Sequence, residues 1–305
     1  MSEKNTHKRI IIINPRAGKQ KRTSALISEL LHLLEKKSLF IPVKFSEYAG
    51  HASVLAQEAI EKGYDHFIVV GGDGTINDVA SVLIKYPEKT LALVATGSGN
   101  GLANYFQLPC SPEAALEVAL QPHTVSIDVG WVNEIPFFSV AGIGFDALIA
   151  RRFAQSKGRG FFNYFINVVK TYPFYKPKTY SITIDNKTFI TKALLITFSN
   201  SNQYGNQISL APQASPSDGM LHMIVMKKIP LWLALLLWPL LFLKILHKTP
   251  FVKIYPIHEA TIQFHHRDYL HIDGDPYPLK QKKLHIRVQP ASLKIHIPSY
   301  ESKDI

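Results

Sequence analysis

The chain has 305 residues, 46% of them apolar and 19% charged, which excludes global disorder and leaves room for two domains. Lysine and arginine outnumber aspartate and glutamate 34 to 23, and the net charge of +11 favours polyanionic partners: nucleic acid, acidic lipid headgroups or phosphorylated ligands. Cys110 is the only cysteine, so no intramolecular disulfide or cysteine-based zinc cluster can form, and a stretch from Met1 to Arg9 without an apolar run points to the cytoplasm.

In chain order, short β-branched runs alternate with helix-period segments over residues 8–123, as a parallel α/β sheet requires. Strands are expected at Arg9–Ile13, 40–45, 66–70 and 91–95. Between them Leu26, Ile27, Leu30, Leu31 and Leu34 share one helical face, and Leu55, Ala56, Ala59 and Ile60 repeat the pattern before Gly63. Ser111-Pro112-Glu113 starts another helix with an N-cap, a proline in the first turn and an acid. From residue 124 to 290 the rhythm becomes mostly β, with strands expected at Thr124–Val132, 180–184, 192–198, 220–226, 260–264, 269–273 and 284–288. Helices are expected at 147–153 and 161–172. A last strand at 293–297 is placed so that residues 291–305 complete the first domain.

Chemistry concentrates in glycine-rich turns. Gly71-Gly72-Asp73-Gly74-Thr75-Ile76-Asn77 follows a strand and opens a helix, so its backbone can approach phosphates lying at the helix N-terminus. A tight turn alone would account for Gly71 or Gly74 but not for the whole string. An ionised Asp73 repels phosphate and engages it through Mg²⁺ or that metal's waters. The next strand ends in Thr96-Gly97-Ser98-Gly99-Asn100-Gly101, and the first in Asn14-Pro15-Arg16-Ala17-Gly18 followed by Lys19, Lys21 and Arg22. Neighbouring parallel strands deliver such turns to one carboxyl edge of the sheet, where ligands bind. Neither the Walker A spacing nor the dinucleotide Gly-x-Gly-x-x-Gly fingerprint occurs.

These motifs, together with Gly142-x-Gly144-Phe145-Asp146, Ser215-Pro216-x-Asp218-Gly219 and Asp273-Gly274-Asp275, resemble the diacylglycerol kinase catalytic-domain family, which includes bacterial lipid kinases and the sphingosine and ceramide kinases. The resemblance implies an α/β N-terminal nucleotide domain with a parallel sheet, like that of NAD kinases, and a mostly β C-terminal sandwich domain. It implies ATP binding by Asn14, Pro15, Arg16, Ala17, Gly18, Ser46, Gly71, Gly72, Asp73, Gly74, Thr75, Ile76, Asn77 and Thr96. It places the proton acceptor on Asp275, where the family has glutamate, one methylene longer; an Asp-Gly hairpin turn is the plainer reading of the same residues. It also implies a structural Mg²⁺ held by Ser215, Asp218 and the carbonyl of Met220, beside the Mg²⁺ that accompanies ATP; a simple turn is the alternative. The role of Gly142 to Asp146 stays open between shaping a ligand site and starting a helix.

The segment 231–243, from Leu231 and Trp232 to Phe242 and Leu243, is apolar but interrupted by Pro239 and followed by Lys244 and Lys248. It is too short to span a bilayer and suits the interface of a membrane surface, making the protein peripherally membrane-associated. The alternatives are a helix buried against the sandwich or in a homodimer interface. The expected activity is ATP-dependent phosphoryl transfer to a diacylglycerol-like lipid hydroxyl, with sphingoid base, ceramide or phosphatidylglycerol as other acceptors. An NAD kinase would share Gly71 to Thr75 but has no need for the apolar segment, and a non-catalytic nucleotide- or lipid-binding protein is the remaining rival. No recognised module supports nucleic acid as a partner.

Overall fold

The structure is a computed structural model, and it describes residues 8–18, 20–97, 99–156, 161–203 and 209–299. It divides into two compact units, one running to Ile127 and resuming at Ala291, the other Asp128–Pro290.

In the first unit four parallel strands lie in the order β2 (Val43–Phe45), β1 (Arg9–Ile13), β3 (His66–Gly71), β4 (Thr90–Ala95). Strands covered on both faces need apolar residues at every position, and β1 and β3 are nearly continuous runs of Ile, Val and Phe. Ile11, Ile13, Ile68, Val70, Ala92 and Val94 pack with Leu26, Ile27 and Leu30 of α1 (Gln20–Lys36) and with Ala115, Leu116 and Ala119 of α5 (Pro112–Leu120). The opposite face is covered by α2 (His51–Glu61) and α3 (Asp73–Leu83), whose Leu55, Ala56, Ala59, Val79, Ala80 and Leu83 are buried. The short helix α4 (Gly101–Tyr105) follows β4, and Ser111 caps α5 through its hydroxyl, as its sequence signals. The expected strand over 40–45 shortens to β2 because Pro42 has no N–H to donate, and Phe40 is left 98% exposed. The end of β16 (Lys283–His296) lies parallel to β4, with Lys294 opposite Thr90 and Ile295 opposite Leu91.

The second unit is built on two antiparallel layers. One contains β8 (Lys178–Ile184), β9 (Lys187–Ala193), β13 (Glu259–Gln263) and the start of β16, with the hairpin of β5 (Thr124–Val132) and β6 (Ile135–Phe137) at its side. The other runs in the order β12 (Val252–Ile257), β11 (Leu221–Met226), β10 (Leu195–Ser199), β7 (Val140–Gly144), β14 (Leu270–Ile272), β15 (Asp275–Tyr277). Alternate residues of both layers, among them Ile143, Ile196, Phe198, Met223, Tyr180, Ile262 and Leu284, form the core between them. The outer face of the second layer carries α6 (Phe145–Gln155), α7 (Phe161–Thr171), α8 (Leu231–Leu237) and α9 (Pro239–Phe242) over Leu195, Ile224 and Met226. The run expected as one strand over 192–198 is two: the chain turns at Leu194, leaving β9 in one layer and β10 in the other.

Candidate functional site

Three loops of the first unit meet at the carboxyl edge of its parallel sheet, and they interlock backbone to backbone. Asn14 ends β1, donates from Nδ2 to Thr75 Oγ1 at 2.9 Å, and accepts the Arg16 N–H on Oδ1 at 2.9 Å, so the first loop is closed on itself and tied to the second. Gly18 has φ +65°, and a Cβ there would collide with the Thr96 carbonyl oxygen; Gly72 and Gly97 face each other so closely that a Cβ on Gly97 would lie 2.8 Å from the Gly72 Cα. Only glycine permits these approaches. Ser46, buried after β2, donates its N–H to Ile13, and Thr96 donates to Gly71.

Asp73 is half-buried and clamps the second loop to the third: Oδ2 accepts the Asn100 N–H at 2.8 Å and Oδ1 the Gly101 N–H at 2.9 Å. Burial pushes its pKa above the usual 3.8 against the pull of the Asn100, Gly101 and Asp73 N–H groups. Its place in the sequence motif thus has a structural reason that the motif alone did not reveal. Gly72 caps α3 without a side chain, so the positive end of that helix opens beside the three loops. Thr96 Oγ1 is buried with no hydrogen-bond partner among the described residues. Gly74 is exposed and Asn77 half-buried on α3, whereas Ile76 is 2% exposed and belongs to the core. Pro15 is half-buried, Arg16 exposed and Ala17 buried, its carbonyl taking the Thr23 hydroxyl at 2.5 Å. Lys19, Ser98 and the side chains of Lys21 and Arg22 lie outside the described residues.

The second unit carries the other two candidate positions. Asp273 and Gly274 have φ of +47° and +90° and form a two-residue turn between Ile272 and Asp275, the primed geometry that an Asp-Gly pair favours. The two aspartates do different things. Asp273 turns inward: its Oδ2 accepts the Phe138 N–H at 2.9 Å and Oδ1 those of Ser139 and Val140 at 2.8 Å, pinning the hairpin to β7. Asp275 opens β15 on the exposed side.

The Ser215–Met220 turn offers a hydroxyl, one exposed carboxylate and a carbonyl, all hard oxygen donors of the kind Mg²⁺ takes. Asp218 Oδ1 accepts the Met220 N–H at 3.0 Å, and Ser215 Oγ lies 3.2 Å from Ser217 Oγ. Asp128, which sequence reasoning missed, holds this turn through the Gly219 N–H at 2.7 Å and its own N–H to Pro216. Nearby His222 is buried, which lowers its pKa from 6.5, with the Asp218 charge opposing. Among the described residues there is no cluster of three or more His, Cys, Asp or Glu that could hold a metal.

The segment 231–243 is two short helices broken at Pro239. Leu233, Ala234, Leu237, Leu240 and Leu241 pack inward, and Trp238 meets Phe165 at a tilt and Phe242 edge-on. Trp232 and Leu236 point outward, 72% and 70% exposed, and Phe162 of α7 and Phe174 are exposed to a similar degree. Among the described residues no helix is long and apolar enough to cross a membrane.

Residues 8–132 match the diacylglycerol kinase catalytic domain, and residues 139–297 the YegS C-terminal NAD kinase beta sandwich-like domain. This pairing of a nucleotide domain with a sandwich defines a class, the lipid kinases, which are phosphotransferases with an alcohol group as acceptor. The chain belongs to the diacylglycerol kinase catalytic-domain family. It is 29% identical over 226 residues to a diacylglycerol kinase of Staphylococcus haemolyticus, covering 72% of this chain and 67% of that one, and 29% identical over 224 residues to that of Staphylococcus saprophyticus, covering 72% of each. A crystal structure of a diacylglycerol kinase from Bacillus anthracis superposes with a TM-score of 0.71 at 18% identity, covering 96% of this chain and 97% of that one. The expected α/β and β-sandwich fold is therefore the observed one.

Proposed function

We propose that the protein transfers the γ-phosphoryl group of ATP to the hydroxyl of a diacylglycerol-like lipid. The observation that carries the reading is the interlocked set of three loops at the sheet edge, with the uncapped N-terminus of α3 beside them. Asn14 to Gly18, Ser46, Gly71 to Asn77 and Thr96 line the ATP site, with the phosphates at the N-terminus of α3. Asp275 takes the proton from the lipid hydroxyl as it attacks. Mg²⁺ accompanying ATP would neutralise phosphate charge, and Ser215, Asp218 and the Met220 carbonyl would hold a second Mg²⁺.

Supporting a lipid rather than a soluble acceptor is the apolar face of α7, α8 and α9. Four exposed side chains, Phe162, Trp232, Leu236 and Phe242, at about 2 kcal/mol each outweigh roughly 1 kcal/mol from each of Lys244 and Lys248. The face is a membrane-docking surface in this reading. Trp232→Glu with Leu236→Glu is expected to lower co-sedimentation with phosphatidylglycerol vesicles at least about tenfold while ATP binding is unchanged. Unchanged sedimentation would mean that the face serves a homodimer or the fold instead.

The reading is tested by transfer of labelled γ-phosphate from ATP, with Mg²⁺, to vesicles containing diacylglycerol, sphingosine, ceramide or phosphatidylglycerol, with NAD as a soluble control. Label in diacylglycerol is the expected result. Label in NAD alone would overturn it.

A further inference from the structure

The Gly142 to Asp146 motif has no part in the proposed chemistry so far, yet it surrounds a buried polar cluster. Strand register sets Thr197 of β10 and His271 of β14 on either side of Gly142 in β7, all on the face covered by α6. Gly144, at φ +100°, turns the chain into α6, and this drops the Asp146 side chain over Gly142. Asp146 Oδ2 accepts from Thr197 Oγ1 at 2.8 Å and lies 3.1 Å from His271 Nε2, while Oδ1 accepts the Ala147 N–H at 2.8 Å. Asp146 and His271 side chains are only 4% and 5% exposed. A carboxylate only accepts, so His271 carries its proton on Nε2. Burial first, and then the Asp146 charge, raise the pKa of Tyr164.

Two features show that this cluster is more than packing. His271 Nδ1 is buried without a hydrogen-bond partner among the described residues, a cost that an apolar side chain in the same place would not carry. And Gly142 is needed because of the pair: a Cβ there would lie 2.7 Å from His271 Nε2 and closer still to Asp146 Oδ2. What the pair holds is the hairpin. Two residues beyond His271 the chain turns at Asp273-Gly274, and β15 returns with Pro276 opposite His271 and Asp275 opposite Ile272. The hairpin is therefore anchored twice, by Asp273 to the start of β7 and by His271 to α6.

Resting on the assignment of Asp275 as proton acceptor, we propose that His271, held by Asp146, is a positioning residue that fixes the reach of Asp275 toward the lipid hydroxyl. An aspartate is one methylene short, so its backbone has little room for error, and misplacement on the ångström scale costs up to about 100-fold in rate.

The test is steady-state kinetics of the full chain on diacylglycerol vesicles. His271→Leu removes the contact, and Gly142→Ala wedges the pair apart while leaving both partners in place. Each is expected to lower kcat about 10- to 100-fold with KM for ATP within about twofold. His271→Gln, which retains a donor for Asp146, is expected to recover most of the rate. Introduced into Asp275→Ala, His271→Leu is expected to cause no further loss. Wild-type kcat in folded Gly142→Ala and His271→Leu, or full additivity with Asp275→Ala, would overturn the positioning role. Full turnover in Asp275→Ala alone would instead overturn the base assignment beneath it.

Discussion

Replacing Asp275 with alanine is expected to lower phosphoryl transfer by about 10²- to 10⁴-fold, the usual worth of a positioned general base. The side chain is exposed at the start of β15, so the thermal midpoint and ATP affinity should stay at wild-type values. Asp275→Glu lengthens the side chain by one methylene and is expected to retain or raise activity. Transfer of labelled phosphate to vesicle lipid, calorimetric ATP binding and a thermal melt check these outcomes. An alanine variant with undiminished turnover would remove Asp275 from the mechanism. A wild type that binds ATP and transfers nothing would favour a sensor.

Asp73→Ala is expected to weaken ATP binding by at least about tenfold and to lower stability by roughly 1–3 kcal/mol. It strands the Asn100 and Gly101 N–H groups and unfastens the third loop from the second. Asp73→Asn keeps an acceptor and should fall between. The sign of the pH dependence follows from burial. Because the folded-state pKa is raised, the folded protein holds its proton more tightly than the unfolded chain. The Asp73 contribution to stability is full below 3.8 and declines as pH rises through the shifted value. The stability deficit of Asp73→Asn is thus expected to shrink from acid toward neutral pH, which denaturant melts at a series of pH values would show. An unaltered Kd for ATP in Asp73→Ala would argue against the loop set as the nucleotide site.

The loops were legible in the sequence because each is local: Gly71 to Asn77 contains both its turn and its helix start. So were β1, β3 and β4, whose apolar runs are buried on both faces. What escaped was long-range. Nothing near Asp273 in the chain shows that its carboxylate caps three N–H groups around Ser139, or that Asp128 holds the Ser215 turn. The pairing of Asp146 with His271 crosses 125 positions and depends on strand register. Within 192–198, the corner at Leu194 is invisible to a period-2 pattern that continues on either side of it. Segment 231–243 looked uniformly apolar, and only the fold separates its inward leucines from its outward Trp232 and Leu236.

The first unit is discontinuous in the chain, with β16 the last strand to join its sheet, and this dictates an order of events on the ribosome. When Ile127 has emerged, β1 to β4 can pair, but the flank of β4 that receives Lys294 and Ile295 has nothing to hydrogen-bond. It stays an open edge while the whole sandwich is synthesised, and an open edge invites pairing with another chain. Closure also brings His296 onto His66, ring centroids 4.2 Å apart, so the stack forms only after the second unit has been made. The nascent protein is therefore most vulnerable to aggregation during the interval in which its second unit is being made.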